Sequence, residues 1–600
     1  MTENHSSKKL AKSYTPSEAE EAISALWSQV NAFQAEPPSN GKKPYSIVIP
    51  PPNVTAALHL GHALNNTIQD VLIRYHRMAG YATMWMPGTD HAGIATQTVV
   101  EKRLTNDGTS RLEIGRDAFV RRTQEWKDEY EGIIIDQLVA MGASCDFDRT
   151  RFTMDEICAN AVRHAFFTLF EDGLIYRGKR LVNWDPVTMT ALADDEVEME
   201  EVEGSMWYLK YPLSDGSGYV TVATTRPETM LGDTAVAVNP NDPAANDLVG
   251  KMVLLPIVNR LIPIIEDDYV VMADLDSEDS KARYASGFLK VTPGHDPNDW
   301  DIGLRHELPV INIMGPDASI STHYGWEDVS EEASRFVGLS REDAREAIIE
   351  WFENNNLLED VRTYTHSVGH SYRSHVPIEP WLSSQWYVAV TDDRLRGSAL
   401  RAQEETQVPS LPNGVASRSN SVGDGDLSFF PSRYARTYYS WHEGIRDWCI
   451  SRQLWWGHRI PIWYKDDTIY CGKNPPDDSG WIQDEDVLDT WFSSWIWPMG
   501  TLGWPHTKDE LKKFYPTQDL VTGPDIIFFW VARMIISGTH FAKEIPFSNV
   551  YFTSIIRDNK GRKMSKSLGN SPDPIELFDK YGVDAVRSSI LMISPQGSDV

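Results

Sequence analysis

Cysteine is scarce in this chain of 600 residues. Its four cysteines, Cys145, Cys158, Cys449 and Cys471, lie far apart and form no CxxC pair. That argues against a disulfide framework, and a reducing cytoplasm is the expected location. Basic charge is also short, with 56 Lys and Arg against 86 Asp and Glu, a net charge of −30 and a pI of about 4.9. Nucleic-acid binding through overall charge is therefore not expected. No apolar run approaches the length that crosses a bilayer, so no membrane partner is expected. The start, "MTENHSSKKLAKSYTP", has no apolar segment after its lysines and does not read as a secretory signal. What the chain does have is length, enough for roughly two to four domains.

Residues 1–40 read as an extension, disordered at first and then helical. In "TPSEAEEAISALWSQVNAF", Thr15 stands as N-cap, Pro16 in the first turn and Glu18 as the capping-box partner. A strand is expected at Tyr45 to Ile49 and an amphipathic helix from His59 to about Arg77, where Leu64, Ile68, Val71, Leu72 and Tyr75 recur at helical spacing. "YATMWM" then reads as a buried strand. Strand, helix, strand within this span makes a βαβ unit and predicts a parallel sheet. Near residue 195 the texture changes. An acidic bridge, "DDEVEMEEVEG", precedes short β-rich segments such as "GYVTVATT" and "IPIIEDDYVVM". These predict a separate, largely β domain over 201–365, interrupting an α/β domain over 41–200 and 366–570. A Ser-, Gly- and Asn-rich stretch at about 396–426 reads as a flexible insertion.

Two motifs carry chemistry. "HLGH" (59–62) begins a helix at the carboxyl edge of a sheet strand, where backbone N–H groups and the helix dipole favour an anion. His59 and His62 stand within one turn on nearly one face, and Gly61 leaves room for a ligand to approach the backbone. Zinc is the rival, but no Cys, Glu or third His follows at ligand spacing. "KMSKSLGN" (563–570) follows the strand-like "NVYFTSII" and lies in a local basic run, "RDNKGRKMSK", with five bases against one acid. Lys563 and Lys566 on such a loop suit a mobile clamp on a polyphosphate, whose transfer needs charge stabilisation more than covalent chemistry.

HxGH followed by KMSKS on a chain with βαβ units resembles the two signatures of class I aminoacyl-tRNA synthetases. From about Tyr45 to Val600 the blocks "PPPNVTAALHLGHAL", "MPGTDHAGIATQ", "ISRQLWWGHRIPIWY", "DVLDTWFSS", "VTGPDIIFFWVARM" and "GRKMSKSLGN" resemble the valyl-tRNA synthetases within that class. Ala56 departs from the usual Gly of the first block. Ser371 and Ser374 stand where some relatives carry cysteines, so no zinc knuckle is expected there and His366, His370 and His375 are read as structural.

The resemblance implies a Rossmann-type parallel-sheet catalytic domain interrupted by a β-rich editing domain, with an N-terminal helical extension. It implies ATP and Mg²⁺ as cofactors, valine and tRNA(Val) as partners, a cytoplasmic monomer, and no metal site built by the protein. His59, His62, Lys563 and Lys566 would hold the ATP phosphates, and Gly523 and Asp525 the ribose. Asp90 would pair with the ammonium of valine, a natural role for a partly buried carboxylate. Pro51, Asn53, Trp491, Ile526 and Trp530 would wall the side-chain pocket, the last two at i, i+4 on one apolar helix.

A pocket shaped for valine rejects threonine, its hydroxyl isostere, by only about 10²-fold, a figure established for valyl-tRNA synthetases rather than derived from this chain. The inserted domain carries "TTRPETMLGDTAVAV" and "LKVTPGHDPNDWDIG". Their resemblance to the family's editing domain implies a hydrolytic site of Arg226, Thr229, Lys290, Thr292, Asp296 and Asp299. Residues 571–600 would begin the stem-contact region, with the family's anticodon-binding domain expected to be absent. The rivals are a small-substrate nucleotidyltransferase, which would lack the insertion, and a catalytically inactive or truncated tRNA-binding paralogue, which should have lost His59, Asp90 or Lys566.

Overall fold

The computed structural model describes residues 15–36, 41–404, 427–476, 480–506, 508–564 and 569–599. By packing these divide into two units. One comprises 1–176, 388–448 and 454–600, and the other 177–387 with 449–453.

In the first unit the apolar run after Pro44 forms a strand, Pro44–Val48, buried at every position but the first. The helix that follows runs Leu60–Met78 with His59 as its N-cap, and buries Leu60, Ala63, Leu64, Thr67 and Ile73. The strand Ala82–Met86 returns parallel to the first, with Pro44 opposite Ala82 and Val48 opposite Met86. Three further parallel strands come from far along the chain. Thr517–Thr522 pairs with Phe547–Phe552, which pairs in turn with Ser428–Phe430.

Side chains join these two groups. Ser46 N donates to Gln518 Oε1 at 2.5 Å, the Tyr45 hydroxyl bonds the Asp519 carboxylate, and Asn65 Nδ2 donates to Val521 O at 3.0 Å. The strand leading to "HLGH" and the strand leading to "TGPD" are therefore neighbours, although some 470 residues separate them in sequence. Both run parallel to their partners, and an α/β sheet opens its ligand crevice at the carboxyl ends of strands where two halves meet.

Behind Pro44–Val48 a core of Ile47, Ile49, Leu64, Ile73, Trp85 and Leu138 also takes in Phe578, Val586 and Ile590 from the last helices. Pro524–Ala542 is long and apolar enough by composition to cross a membrane, which corrects the reading that no run approached that length. Its segment is 61% buried inside the fold, as a core helix would be. It is also not the regular helix expected for Ile526 and Trp530. Pro524–Ile526 winds as 3₁₀, Ile527–Ala532 as π, and Arg533–Ser537 as α. Thr15 caps Pro16–Gln29 with extended backbone angles, but its side chain makes no capping bond, so the capping box is not formed.

The second unit holds a seven-stranded sheet ordered Met252–Leu254, Leu261–Glu266, Ala235–Val238, Phe288–Val291, Tyr219–Thr224, Val197–Pro212, Leu358–Ser371. Leu209, Tyr211, Val220, Val222, Val236 and Ile264 lie in its core. The acidic "bridge" is corrected here. Its residues from Val197 onward are the first half of a sixteen-residue strand, paired antiparallel along Leu358–Ser371. Glutamates on its exposed faces mask the alternation that marks a half-buried strand. Ser371, at the end of that ribbon, donates through Oγ to Asp185 Oδ2 at 2.7 Å. His370 Nδ1 meets Val368 O, and His366 stacks on Tyr364.

Candidate active site

At the carboxyl end of Pro44–Val48 the chain makes an isolated parallel bridge between Asn53 and Asp90. Asp90 N donates to Pro52 O at 2.9 Å and Val54 N to Asp90 O at 3.1 Å, so the backbone ties the Pro52–Val54 stretch to Asp90. Asp90 is buried, 4% exposed. Its Oδ1 accepts from Ala92 N at 2.7 Å and its Oδ2 from Ser494 Oγ at 2.8 Å. Ser494 is tied in turn to Trp530, whose Nε1 donates to Ser494 O at 2.9 Å. Trp491 lies on the same short helix, Thr490–Ser494, and stacks on Phe529 with ring centres 5.2 Å apart. Thr490 Oγ1 takes the N–H of Gly93, the first residue of the helix after Asp90. The structure therefore gathers Pro51, Asn53, Asp90, Trp491 and Trp530 into one neighbourhood. Ile526 is half-buried at the end of the 3₁₀ turn, just before the π-helical segment.

His91, fully buried beside Asp90, has its pKa pushed down to about 3 by burial, with Asp489 opposing weakly. It stays neutral at physiological pH and brings no cation to the carboxylate. Its backbone N–H and Nδ1 both meet Thr153 Oγ1, at 2.9 and 2.8 Å.

The turn that carries the histidine pair is closed differently from the expectation. His59 Nδ1 accepts from Gly61 N at 3.0 Å, and His62 Nδ1 accepts from His59 N at 3.2 Å, a reciprocal cap made by two imidazoles. The N–H groups of His62 and Ala63 go to His59 O at 2.9 and 3.1 Å. These backbone donors of the first turn are thus spent inside the turn and do not await an anion. An imidazole that accepts at Nδ1 carries its proton at Nε2, so each ring is a donor through Nε2–H. Gly61 is explained by the same geometry. A Cβ there would stand 2.8 Å from His59 Cε1, so glycine makes room for the capping ring.

Across the switch point, Gly523 is extended and the Asp525 carboxylate folds back over it, where a Cβ would collide with Oδ1. Asp525 forms an ion pair with Lys563, bringing the "TGPD" and "KMSKS" motifs together. The basic run is described up to Met564. Arg557 and Lys563 bridge, and Asp558 Oδ atoms accept from Lys560 N, Arg562 N and Nε, and Asn570 Nδ2, all at 2.9 Å. These donors, Asn570 first, hold the Asp558 carboxyl well below the usual range. Lys566 lies outside the described residues, as do 405–426 of the proposed insertion.

In the second unit four of the six residues expected for a hydrolytic site, Thr229, Lys290, Thr292 and Asp299, meet in one buried cluster. Lys290 Nζ donates to Thr292 Oγ1 at 2.6 Å, Thr229 Oγ1 at 2.8 Å and Asp233 Oδ1 at 3.4 Å. Asp299 is 5% exposed and its Oδ2 accepts from Thr292 N at 2.8 Å. Burial first, then neighbouring Asp296, pushes its pKa up to about 7, against the pull of Lys290 and the Thr292 N–H. Asp296 caps the helix Pro297–Arg305 by accepting from Asn298 N and Asp299 N. Arg226 is spoken for by the fold. It bridges Glu379, Glu228 and the carbonyl of His295, while Glu228 also takes Arg345 and Glu379 takes Arg341. An open depression of about 650 Å³, lined by Asp267, Asp268, Tyr269, Arg305 and His306 among others, lies beside the cluster. Tyr269 links the two, its phenol raised by burial and then by Asp296 and Asp299.

Sequence reasoning missed Ser494 and Asp233. Both lie inside quoted blocks, "DVLDTWFSS" and "MLGDTAVAV", but nothing in their spacing marks them. Among the described residues no group of three or more His, Cys, Asp or Glu is arranged to hold a metal ion.

The sequence profile described as tRNA synthetases class I (I, L, M and V) matches residues 22–477 and 476–600. A valine–tRNA ligase of Chlorobaculum tepidum is 47% identical over 612 residues, covering 100% of this chain and 63% of its own length. One from Geobacter sulfurreducens is 49% identical over 604 residues, covering 99% of this chain and 63% of its own. The chain thus spans less than two thirds of the curated relatives it matches. Among solved structures, the LeuRS of a ternary LeuRS–tRNA–LeuAMS complex from Agrobacterium radiobacter K84 superposes with a TM-score of 0.52 at 17% identity, covering 98% of this chain and 74% of that one. At that identity the likeness speaks to the fold.

Proposed function

Because the chain belongs to the class I tRNA synthetases of the I, L, M and V group, we propose that it activates valine with ATP and esterifies the 3′ end of tRNA(Val), and that its second unit hydrolyses threonyl-tRNA. The supporting observation is the convergence at the switch point. The buried Asp90 carboxylate, the two Nε2–H donors and Asp525 all stand at the carboxyl ends of neighbouring strands. In this reading Asp90 takes the ammonium of valine, while Pro51, Asn53, Trp491, Ile526 and Trp530 enclose its side chain. His59 and His62 donate to phosphate oxygens as charge builds in the transition state, where preorganised donors matter most. Asp525 accepts from ribose hydroxyls. Lys563, and Lys566 by its place in the motif, add positive charge as pyrophosphate leaves. Mg²⁺ would be carried on the ATP phosphates, screening their charge. No side chain need form a covalent bond to substrate.

For the second unit, Asp299 would pair with the ammonium of the misacylated end, and Thr229 and Thr292, both held by Lys290, would meet the threonine hydroxyl. A valyl ester lacks that hydroxyl and would leave those groups unpaired. The test is ATP–pyrophosphate exchange with each of the twenty amino acids in turn. Valine should support the fastest exchange, with threonine slower. Leucine or isoleucine exceeding valine would overturn the reading.

A further inference from the structure

Asp233 belongs to none of the roles assigned so far, yet it is fully buried and sits under the proposed hydrolytic cluster. Tyr211 donates its hydroxyl to Asp233 Oδ2 at 2.8 Å, and Thr292 Oγ1 donates to Oδ1 at 2.6 Å. Lys290 reaches the same Oδ1 at 3.4 Å. The proton positions in the cluster follow from counting. A carboxylate only accepts, so the one proton of the Thr292 hydroxyl points at Asp233. The ammonium of Lys290 has three protons, and its three acceptors are Asp233, Thr229 and Thr292. Thr229 in turn spends its hydroxyl proton on Arg226 O at 3.0 Å. Both threonine hydroxyls therefore turn their protons into the protein and take one from Lys290. What each has left is a lone pair.

We propose that Asp233 is a positioning residue of this site, which by holding the Thr292 proton and the Lys290 ammonium makes the cluster accept, and not donate, hydrogen bonds towards the hydroxyl of an aminoacyl ester. This rests on the hydrolytic reading above. Asp233 itself is sealed from ligand by Tyr211, Thr292 and Lys290 and acts only through them. Burial raises its carboxyl pKa, and Lys290 and the hydroxyls of Thr292 and Tyr211 oppose that rise by favouring the carboxylate. The chemistry selected is a ligand group that donates at short range. A threonyl hydroxyl does so, and a methyl in its place does not.

Asp233→Asn keeps shape but places an N–H₂ among groups that need an acceptor. The experiment measures kcat/KM for hydrolysis of threonyl-tRNA and of 2-aminobutyryl-tRNA, an ester without the hydroxyl, by wild type and variant. Valine-dependent pyrophosphate exchange, which uses the other unit, reports that the first unit is intact, and the 2-aminobutyryl rate reports on the second. The threonyl rate should fall about tenfold or more while the 2-aminobutyryl rate changes less than about twofold. Parallel loss of both rates would mean a merely structural role and overturn the proposal, and so would loss of neither. Tyr211→Phe removes one donor to Asp233 and keeps the carboxylate. It should lower the threonyl to 2-aminobutyryl ratio in the same direction, and an unchanged ratio would overturn the proposal even if Asp233→Asn did not fold. Failure of wild type to hydrolyse either ester would instead remove the hydrolytic reading on which the proposal stands.

Discussion

At the scale of single residues, two buried carboxylates divide the proposed labour. Asp90 is oriented by Ala92 N and Ser494 Oγ, and the neighbouring His91 is held neutral. Replacing Asp90 with Asn should weaken valine binding by roughly 2–5 kcal/mol, the usual cost of leaving a buried charge without its partner. Calorimetric titration with valine checks this, and wild-type affinity would return Asp90 to an ordinary loop role. Asp299 has a folded pKa of about 7 where an unburied Asp titrates near 3.8. Between those values the unfolded chain ionises and the folded chain does not, so stability contributed by this group is lost as pH rises from about 4 to 7. Asp299→Asn should then stabilise the second unit at pH 8 by a few kcal/mol, at about 1.4 kcal/mol for each unit between the two values, and by much less at pH 4. Thermal unfolding of both proteins at the two pH values measures it, and an equal difference at pH 4 and 8 would contradict it. Threonyl-tRNA hydrolysis by wild type should rise through the same window, as the carboxylate forms beside the ammonium it binds.

At the scale of elements, the turn from His59 to Ala63 is the most consequential. Its cap is closed by imidazoles, so its local stability and its proposed function share the same two rings. Gly61→Ala should leave the fold intact, since alanine gains up to about 1 kcal/mol over glycine inside a helix. It should nevertheless force the His59 ring from its Nδ1 bond and lower kcat for pyrophosphate exchange about 10²-fold, as loss of an aligned donor does, with KM for valine little changed. Unchanged kcat would show that the ring's position does not matter. The helix itself was legible in the sequence because Leu64, Ile68 and Leu72 keep its period, and the parallel pairing of Pro44–Val48 with Ala82–Met86 followed from that unit. The irregular winding after Gly523 was not legible. Apolar residues crowd every position from Ile526 to Ala532, and such a run carries no period to separate π from α. The acidic half of Val197–Pro212 was hidden for the opposite reason, since a ribbon exposed on both faces need not alternate.

At the scale of the whole molecule, two compact units carry two clusters that share no residue. Asp299→Ala should therefore let threonyl-tRNA accumulate while valine-dependent exchange stays intact, and equal deacylation by variant and wild type would remove Asp299 from the site. The motifs were readable because each is continuous in sequence. Their supports were not, because Ser494 reaches Asp90 across 404 residues and Lys563 reaches Asp525 across 38. Contacts of that separation leave no local pattern. The central claim is that one crevice, between the strands ending at Val48 and Thr522, holds valine and nucleotide together. The most direct measurement is a crystal structure of this chain with a non-hydrolysable valyl-adenylate analogue. The account predicts the ammonium on Asp90, the phosphate-mimicking group near Nε2 of His59 and His62, and the ribose on Asp525. An analogue seated away from Asp90, with its ribose far from Asp525, would contradict it.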